Sequence, residues 1–203
     1  MAEPAPFDRI GANYDASRAD RSAHYAANAW LADRLSPGAR VLDVGCGSGE
    51  PTARELCERG FEVVGVDESG VMLDLARAGV PGATFLQRDF RDLGEDLGQF
   101  DAVTAFFALL LVSRAEVAQV LADLRSRLRG PKLLVMSMVY GDFDAFPISF
   151  LGVWIPVTAY PTDQLLEVVT AAGFRVLDKK EAVLEAEEAG RLETHQYLFL
   201  TAD

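Results

Sequence analysis

Gly45, Gly47 and Gly49 alternate directly after the apolar run Val41-Leu42-Asp43-Val44, and Pro51 follows two residues later. The run has the length and composition of a buried strand. Pro51 suits the first turn of a helix, where its missing N–H costs nothing. A glycine turn between a strand and a helix presents bare backbone at the carboxyl end of the strand, where a ligand can lie against it. This turn constrains the fold more than any other stretch of the 203 residues.

The remaining chain continues the alternation. A helix is expected from Ala26 to Leu35, stopped by Ser36-Pro37-Gly38, and another from about Pro51 to Arg59, closed by Gly60. Phe61 to Val66 reads as the second strand. Ser69 or Asp67 caps a helix to about Ala78, with Val71, Met72 and Leu75 facing inward. Further strands are expected at Thr84–Leu86, Phe100–Phe107 and Leu133–Val139, and helices at Arg114–Leu128 and Thr162–Ala172. Val117, Val120, Leu121 and Leu124 form the apolar face of the first of these. Strands beginning at Phe174 and Thr194 are joined by a turn, so they are antiparallel neighbours. The fold class is therefore α/β, a mostly parallel sheet covered on both faces. The whole of 1–203 reads as one domain, with an N-terminal cap at 1–36. Tyr140 to Pro161 reads as a long loop carrying Phe143, Phe146, Phe150 and Trp154. A loop of that length serves as a lid or substrate wall, although the aromatics would also suit plain core.

Composition removes several partners. Acidic residues outnumber basic ones 31 to 19, a net charge of −12. Such a chain repels a phosphate backbone, and no Lys/Arg run offsets this, so no nucleic-acid partner is expected. Cys46 and Cys57 have no metal or disulfide spacing, and no metal is expected. The first ten residues lack an apolar signal segment, and the stretch Ala102–Val112 is too short to span a bilayer. A soluble, cytoplasmic protein is expected, without a membrane partner.

The turn departs from the dinucleotide pattern Gly-x-Gly-x-x-Gly, because Glu50 stands where spacing would help a pyrophosphate. Glu50 and Asp43 repel phosphate and favour a ligand with positive charge. Asp67 ends the second strand about 20 residues on, where a carboxylate grips a ribose diol. Asp89 and Phe90 follow the third strand, suited to an adenine amino group and ring. The series Asp43 to Gly49, Asp67 and Asp89 resembles that of class I S-adenosylmethionine-dependent methyltransferases, of the small-molecule type, over about Tyr14 to Leu200.

The resemblance implies a Rossmann-like seven-stranded sheet in three layers, with an antiparallel last strand inserted between the fifth and sixth. It implies S-adenosyl-L-methionine as cofactor. Asp43 would then bond backbone or the ligand's ammonium. Gly45 and Gly47 would contact the methionine portion, with Cys46 between them. Asp67 would take the ribose hydroxyls, Glu68 and Met72 would flank the adenine, and Asp89 and Phe90 would complete its pocket. Ala105 and Phe106 would face the methionyl chain, and Tyr14 and Arg18 its carboxylate, unless they are a surface pair. Leu109-Leu110-Leu111 stands where many members carry a histidine. The histidines His24 and His195 are the candidate general bases, or are merely hydrogen-bonded. The expected activity is methyl transfer to oxygen or nitrogen of a small, largely apolar or aromatic acceptor. The alternatives are a cofactor-binding cyclase or decarboxylase, or a non-catalytic binding subunit. The sequence also allows a homodimer through the aromatics of 140–161.

Overall fold

The apolar runs become strands because both of their faces are covered. In the computed structural model, which describes residues 5–17, 20–185 and 192–203, Val41 through Val44 are all buried. The chain enters through three helices, α1 (Pro6–Ile10), α2 (Asn13–Ser17) and α3 (Ser22–Ala32). There follow β1 (Arg40–Val44), α4 (Thr52–Glu58), β2 (Glu62–Asp67), α5 (Gly70–Gly79), β3 (Thr84–Gln87) and β4 (Phe100–Phe106). Then come α6 (Arg114–Ser126), β5 (Leu128–Val139), β6 (Phe143–Phe150), β7 (Val153–Ala159), α7 (Thr162–Ala171), β8 (Phe174–Glu185) and β9 (Leu192–Ala202). The main sheet runs β3-β2-β1-β4-β5-β9-β8. The pairs among β1 to β5 are parallel, and β9 is antiparallel to both β5 and β8. This is the expected seven-stranded architecture.

The strand order reverses between β1 and β4, which open toward opposite neighbours. Carboxyl ends of parallel strands at such a point leave a crevice, and Val44, Asp67, Gln87 and Phe106 all end there. Phe100, Phe174 and Phe199 are among the largest fully buried side chains of the core. Each contributes about 2–3 kcal/mol through burial. On α6, Val117, Val120, Leu121 and Leu124 are buried as their spacing requires, and a Ser113–Glu116 capping box starts the helix.

Three expectations are corrected. Helix α3 begins at Ser22, earlier than its apolar spacing indicates. Its inner face toward α4 is polar: His24 Nε2 lies 2.7 Å from Thr52 Oγ1, and buried Asn28 donates to Glu55 Oε2 at 2.8 Å. Val71 is 43% exposed, and Leu73 and Ala76 join Met72 inside instead. The helix starts at Gly70 with Ser69 as its cap, and that start sets which face turns inward.

The third correction concerns 140–161, which is a β-hairpin rather than a loop. β6 and β7 form a separate two-stranded antiparallel sheet. Arg114 fastens it to α6, donating to Asp142 Oδ1 at 2.7 Å and to the Ala159 carbonyl at 2.8 Å. Helix α1 packs against both α5 and β7. The N-terminal cap and the hairpin thus meet over the crevice, where the Tyr14 and Phe150 rings lie 6.3 Å apart.

Candidate functional site

The glycine turn follows from backbone conformation. Gly45, Gly47 and Gly49 have φ of 64°, 54° and 79°, a region that side chains disfavour. At Gly45 a β-carbon would lie 2.6 Å from the Ala108 β-carbon, so the turn also needs the empty volume. The turn, the ends of β2 and β4, and α1 and α3 enclose a cleft of about 860 Å³, open to solvent.

Asp67 links two walls of this cleft. Its Oδ2 accepts from the Gly47 N–H and its Oδ1 from the Ser69 N–H, each at 2.9 Å. Two backbone donors orient the carboxylate, and each oxygen keeps a second lone-pair direction for a ligand. Ser69 accepts from the Met72 N–H and donates to Asp8 Oδ1 at 2.6 Å, which pins α1 onto the start of α5. Spacing gave no signal for Asp8, because its partner lies 61 residues away.

The cleft is electrostatically one-sided. Asp43, Glu50, Asp67, Glu68 and Asp89 line it, with Arg91 as its only Lys or Arg among the described residues. Burial pushes the Asp43 carboxyl up to about 7, against the hydrogen bond from Thr104 Oγ1 at 2.7 Å. Burial also raises Asp67 and Glu68, and neighbouring carboxylates add to both. A cation in the cleft would relieve these costs. The Cys46 thiol is raised well above its usual value by burial, then by Asp43 and Asp67, so it stays protonated.

The Asp43 shift has a measurable consequence. The folded state raises this pKa above its unfolded value near 3.8, so the protonated form is favoured in the fold. Its contribution is fully present below about pH 4 and is lost as pH rises through about 7. Asp43→Asn should therefore be more stable than the parent at about pH 8, with the difference vanishing near about pH 4. Urea midpoints across that range check this, and a constant difference would refute it.

A sequence family described as a methyltransferase domain matches residues 41–130. An uncharacterized methyltransferase of Synechocystis sp. is 30% identical over 151 residues, which cover 71% of each chain. The chain belongs to the class I S-adenosylmethionine-dependent methyltransferases. A Bacillus subtilis protein named as a methyltransferase is 44% identical over 77 residues, 36% of this chain. That match spans only 31% of the Bacillus protein's length. The solved magnesium protoporphyrin IX methyltransferase of Synechocystis, with bound S-adenosylhomocysteine, shares the fold. Its TM-score is 0.71 at 20% identity, covering 90% of this chain and 83% of that one.

Within this methyltransferase, the cleft brings together most of the residues singled out in the sequence. Tyr14, His24, Asp43, Gly45, Cys46, Gly47, Asp67, Glu68, Met72, Asp89, Phe90 and Phe106 all line it. Arg18 lies outside the described residues. Ala105 does not line the cleft; it is fully buried in β4, and Phe107 and Ala108 beyond Phe106 form the wall. Asp43 accepts from the Thr104 hydroxyl rather than from the turn's backbone. Asp89 is held by the Arg91 guanidinium, at 2.9 Å from Nε to both oxygens, which lowers its pKa. Glu50 is ion-paired with Arg54 one helical turn on, so its charge is partly neutralised. The bias against phosphate therefore rests on Asp43, Asp67 and Glu68.

The histidines separate. His24 lines the cleft, its ring centroid 4.0 Å from that of Phe106. His195 lines neither this cleft nor the one beside it. The β9 register pairs it with Val139 and Ala182, and its ring packs edge-on against Phe107 at 4.6 Å. Leu111, near the position of the histidine found in many members, lines the cleft.

A second cleft of about 1330 Å³ adjoins the first and shares Phe7, Tyr14, Phe107 and Leu111 with it. The hairpin supplies Phe143, Ile148, Phe150, Ile155 and Val157. The aromatic segment 140–161 thus lines a cleft through Phe143 and Phe150, while Phe146 and Trp154 are exposed; the share of the N-terminal cap and the start of β9 in this wall has no local signal.

Proposed function

We propose that the first cleft holds S-adenosylmethionine and the second holds a small, largely apolar or aromatic acceptor, methylated on oxygen or nitrogen. The observation that carries this reading is the pair of adjoining clefts. One is acidic and built on the glycine turn, and the other is apolar and built on the hairpin. The first fits the cofactor by its chemistry: bare backbone at Gly45 and Gly47, a backbone-oriented carboxylate at Asp67, and an excess of negative charge.

When bound, S-adenosylmethionine supplies a methyl group on a positively charged sulfur. Asp67 would accept from the ribose hydroxyls, and Met72 and Phe90 would help hold the adenine. Asp89, engaged by Arg91, would contribute through its loop rather than as an unoccupied acceptor. Glu68 would flank the adenine with Met72, and Asp43 would supply negative charge near the cationic end once a bound cation favours its ionised form. Phe107 and Leu111 line both clefts and Phe106 the first, and their apolar surfaces would exclude water, which favours displacement between aligned groups. His24, which lines the first cleft, would be the histidine available to an acceptor atom that reaches in toward the methyl group.

The test is calorimetry with S-adenosylhomocysteine, followed by mass spectrometry of an aromatic amine and phenol mixture incubated with S-adenosylmethionine. Saturable binding and a product heavier by one methylene unit are expected. No heat at about 1 mM ligand, a threshold of only about 4 kcal/mol, would remove the cofactor assignment. A product of unchanged carbon count would favour cyclase chemistry, and one that has lost carbon dioxide would favour decarboxylase chemistry.

A further inference from the structure

We infer that Asp8 is a positioning residue that seats α1 across both clefts, and that this seating is coupled to the cofactor through Ser69 and Asp67. The inference rests on the reading of the first cleft as the cofactor site.

The place of α1 depends on this tie. The helix has five residues, and Ile10 is the only one of them that is buried. So short a helix does not hold itself in water, and its position is set by what it touches. Asp8 Oδ1 accepts from Ser69 Oγ at 2.6 Å and from the Val71 N–H at 3.3 Å. Ser69 is fully buried, so removing Asp8 takes the acceptor from a buried hydroxyl, which costs free energy. Phe7, beside Asp8, lines both clefts, as does Tyr14, and their rings meet edge-on at 5.7 Å. The seat of α1 therefore decides whether the wall shared by the two clefts is in place.

The same serine reaches the cofactor side. Its N–H donates to Asp67 Oδ1 at 2.9 Å, and Asp67 Oδ2 accepts from the Gly47 N–H. A chain of hydrogen bonds thus runs from Asp8 through Ser69 and Asp67 to the glycine turn. Seating has a cost, because Asp8 brings another carboxylate toward Asp67 and Glu68. Burial raises both of those carboxyls, and the Asp8 charge adds to it. Ribose hydroxyls donating to Asp67 would offset part of this repulsion and fix the carboxylate against Ser69. The filled cleft then favours the seated helix more than the empty cleft does. By linkage, the seated helix tightens cofactor binding by the same factor. The acceptor cleft is thereby completed in step with cofactor binding.

The experiment is hydrogen exchange read by mass spectrometry on the full chain, with and without S-adenosylhomocysteine, beside calorimetry of the same ligand. In wild type the ligand should slow exchange in residues 6–14 by about five- to tenfold. Asp8→Ala should lose most of that slowing and bind the ligand more weakly by a similar factor. Asp8→Asn keeps an acceptor oxygen and should retain both. Ser69→Ala cuts the same link from the other side, so adding it to Asp8→Ala should weaken binding little further. Exchange in α6 reports the fold and should be equal in wild type and Asp8→Ala. The proposal is overturned if Asp8→Ala keeps the wild-type slowing or affinity, or if Asp8→Asn loses both. Faster exchange in α6 of Asp8→Ala would make Asp8 a general support of the fold and overturn it as well. Ligand binding to wild type without slowing in residues 6–14 strikes the coupling alone. No binding to wild type strikes the cofactor reading, and the coupling with it.

Discussion

Asp67→Ala should weaken S-adenosylhomocysteine binding by about 30- to 150-fold, the equivalent of about 2–3 kcal/mol for hydrogen bonds to a charged acceptor. The carboxylate is held between the Gly47 and Ser69 N–H groups, so its removal has two effects. On the proposed binding mode the ribose hydroxyls lose their acceptor, and two backbone donors at the cleft wall lose theirs. Asp67→Asn separates these effects. It keeps one side-chain acceptor and lacks the charge, so its affinity should fall between that of the parent and that of Asp67→Ala. Titration calorimetry on variants with unchanged circular dichroism gives the comparison. Equal affinity for Asp67→Ala and wild type would remove the residue from the site.

Gly45→Ala should cost about 2–4 kcal/mol of folding stability, the sum of a left-handed backbone imposed on a side chain and local overpacking. The new methyl would meet the Ala108 β-carbon at 2.6 Å, well inside contact distance. Gly60→Ala is the internal control. Its φ is 85°, but nothing lies within 4 Å of an added β-carbon. It should lose only the backbone part, about 1–2 kcal/mol. Urea denaturation at one pH compares the two. Equal losses would show that Gly45 is required for its backbone angle alone and not for the approach of Ala108. Because Gly45 and Ala108 both line the first cleft, Gly45→Ala should also lower cofactor affinity.

Legibility in the sequence followed the range of the interactions. The glycine turn, the Ser69 cap and the buried stripe of α6 each depend on residues a few positions apart, and each appears where its spacing indicates. The β6–β7 hairpin was hidden for a physical reason. Pro147 and Pro156 sit opposite each other in its two strands, and proline argues against a strand interior. Trp154, 70% exposed, stands between Val153 and Ile155, and Phe146 is exposed as well, so the usual apolar and polar alternation is lost. The first turn of helix α3 carries no apolar signal because His24 and Asn28 make its hydrogen bonds to α4. The Glu50–Arg54 pair could have been anticipated from its four-residue spacing on a helix start.

By itself the sequence determined the alternation of strands and helices, the bend at Gly45 to Gly49, and the order of the carboxylates Asp43, Asp67 and Asp89. These follow from periodicity, backbone freedom and position at strand ends, all of which are local. Only the tertiary structure decided which carboxylates are already engaged, which histidine lines the first cleft, and that the N-terminal cap joins the 140–161 segment to form a second cleft. Arg91 occupies Asp89, Phe107 screens His195, and the hairpin meets the N-terminal cap through contacts between segments far apart in the chain. Such convergence depends on sheet order and packing, which no local pattern encodes.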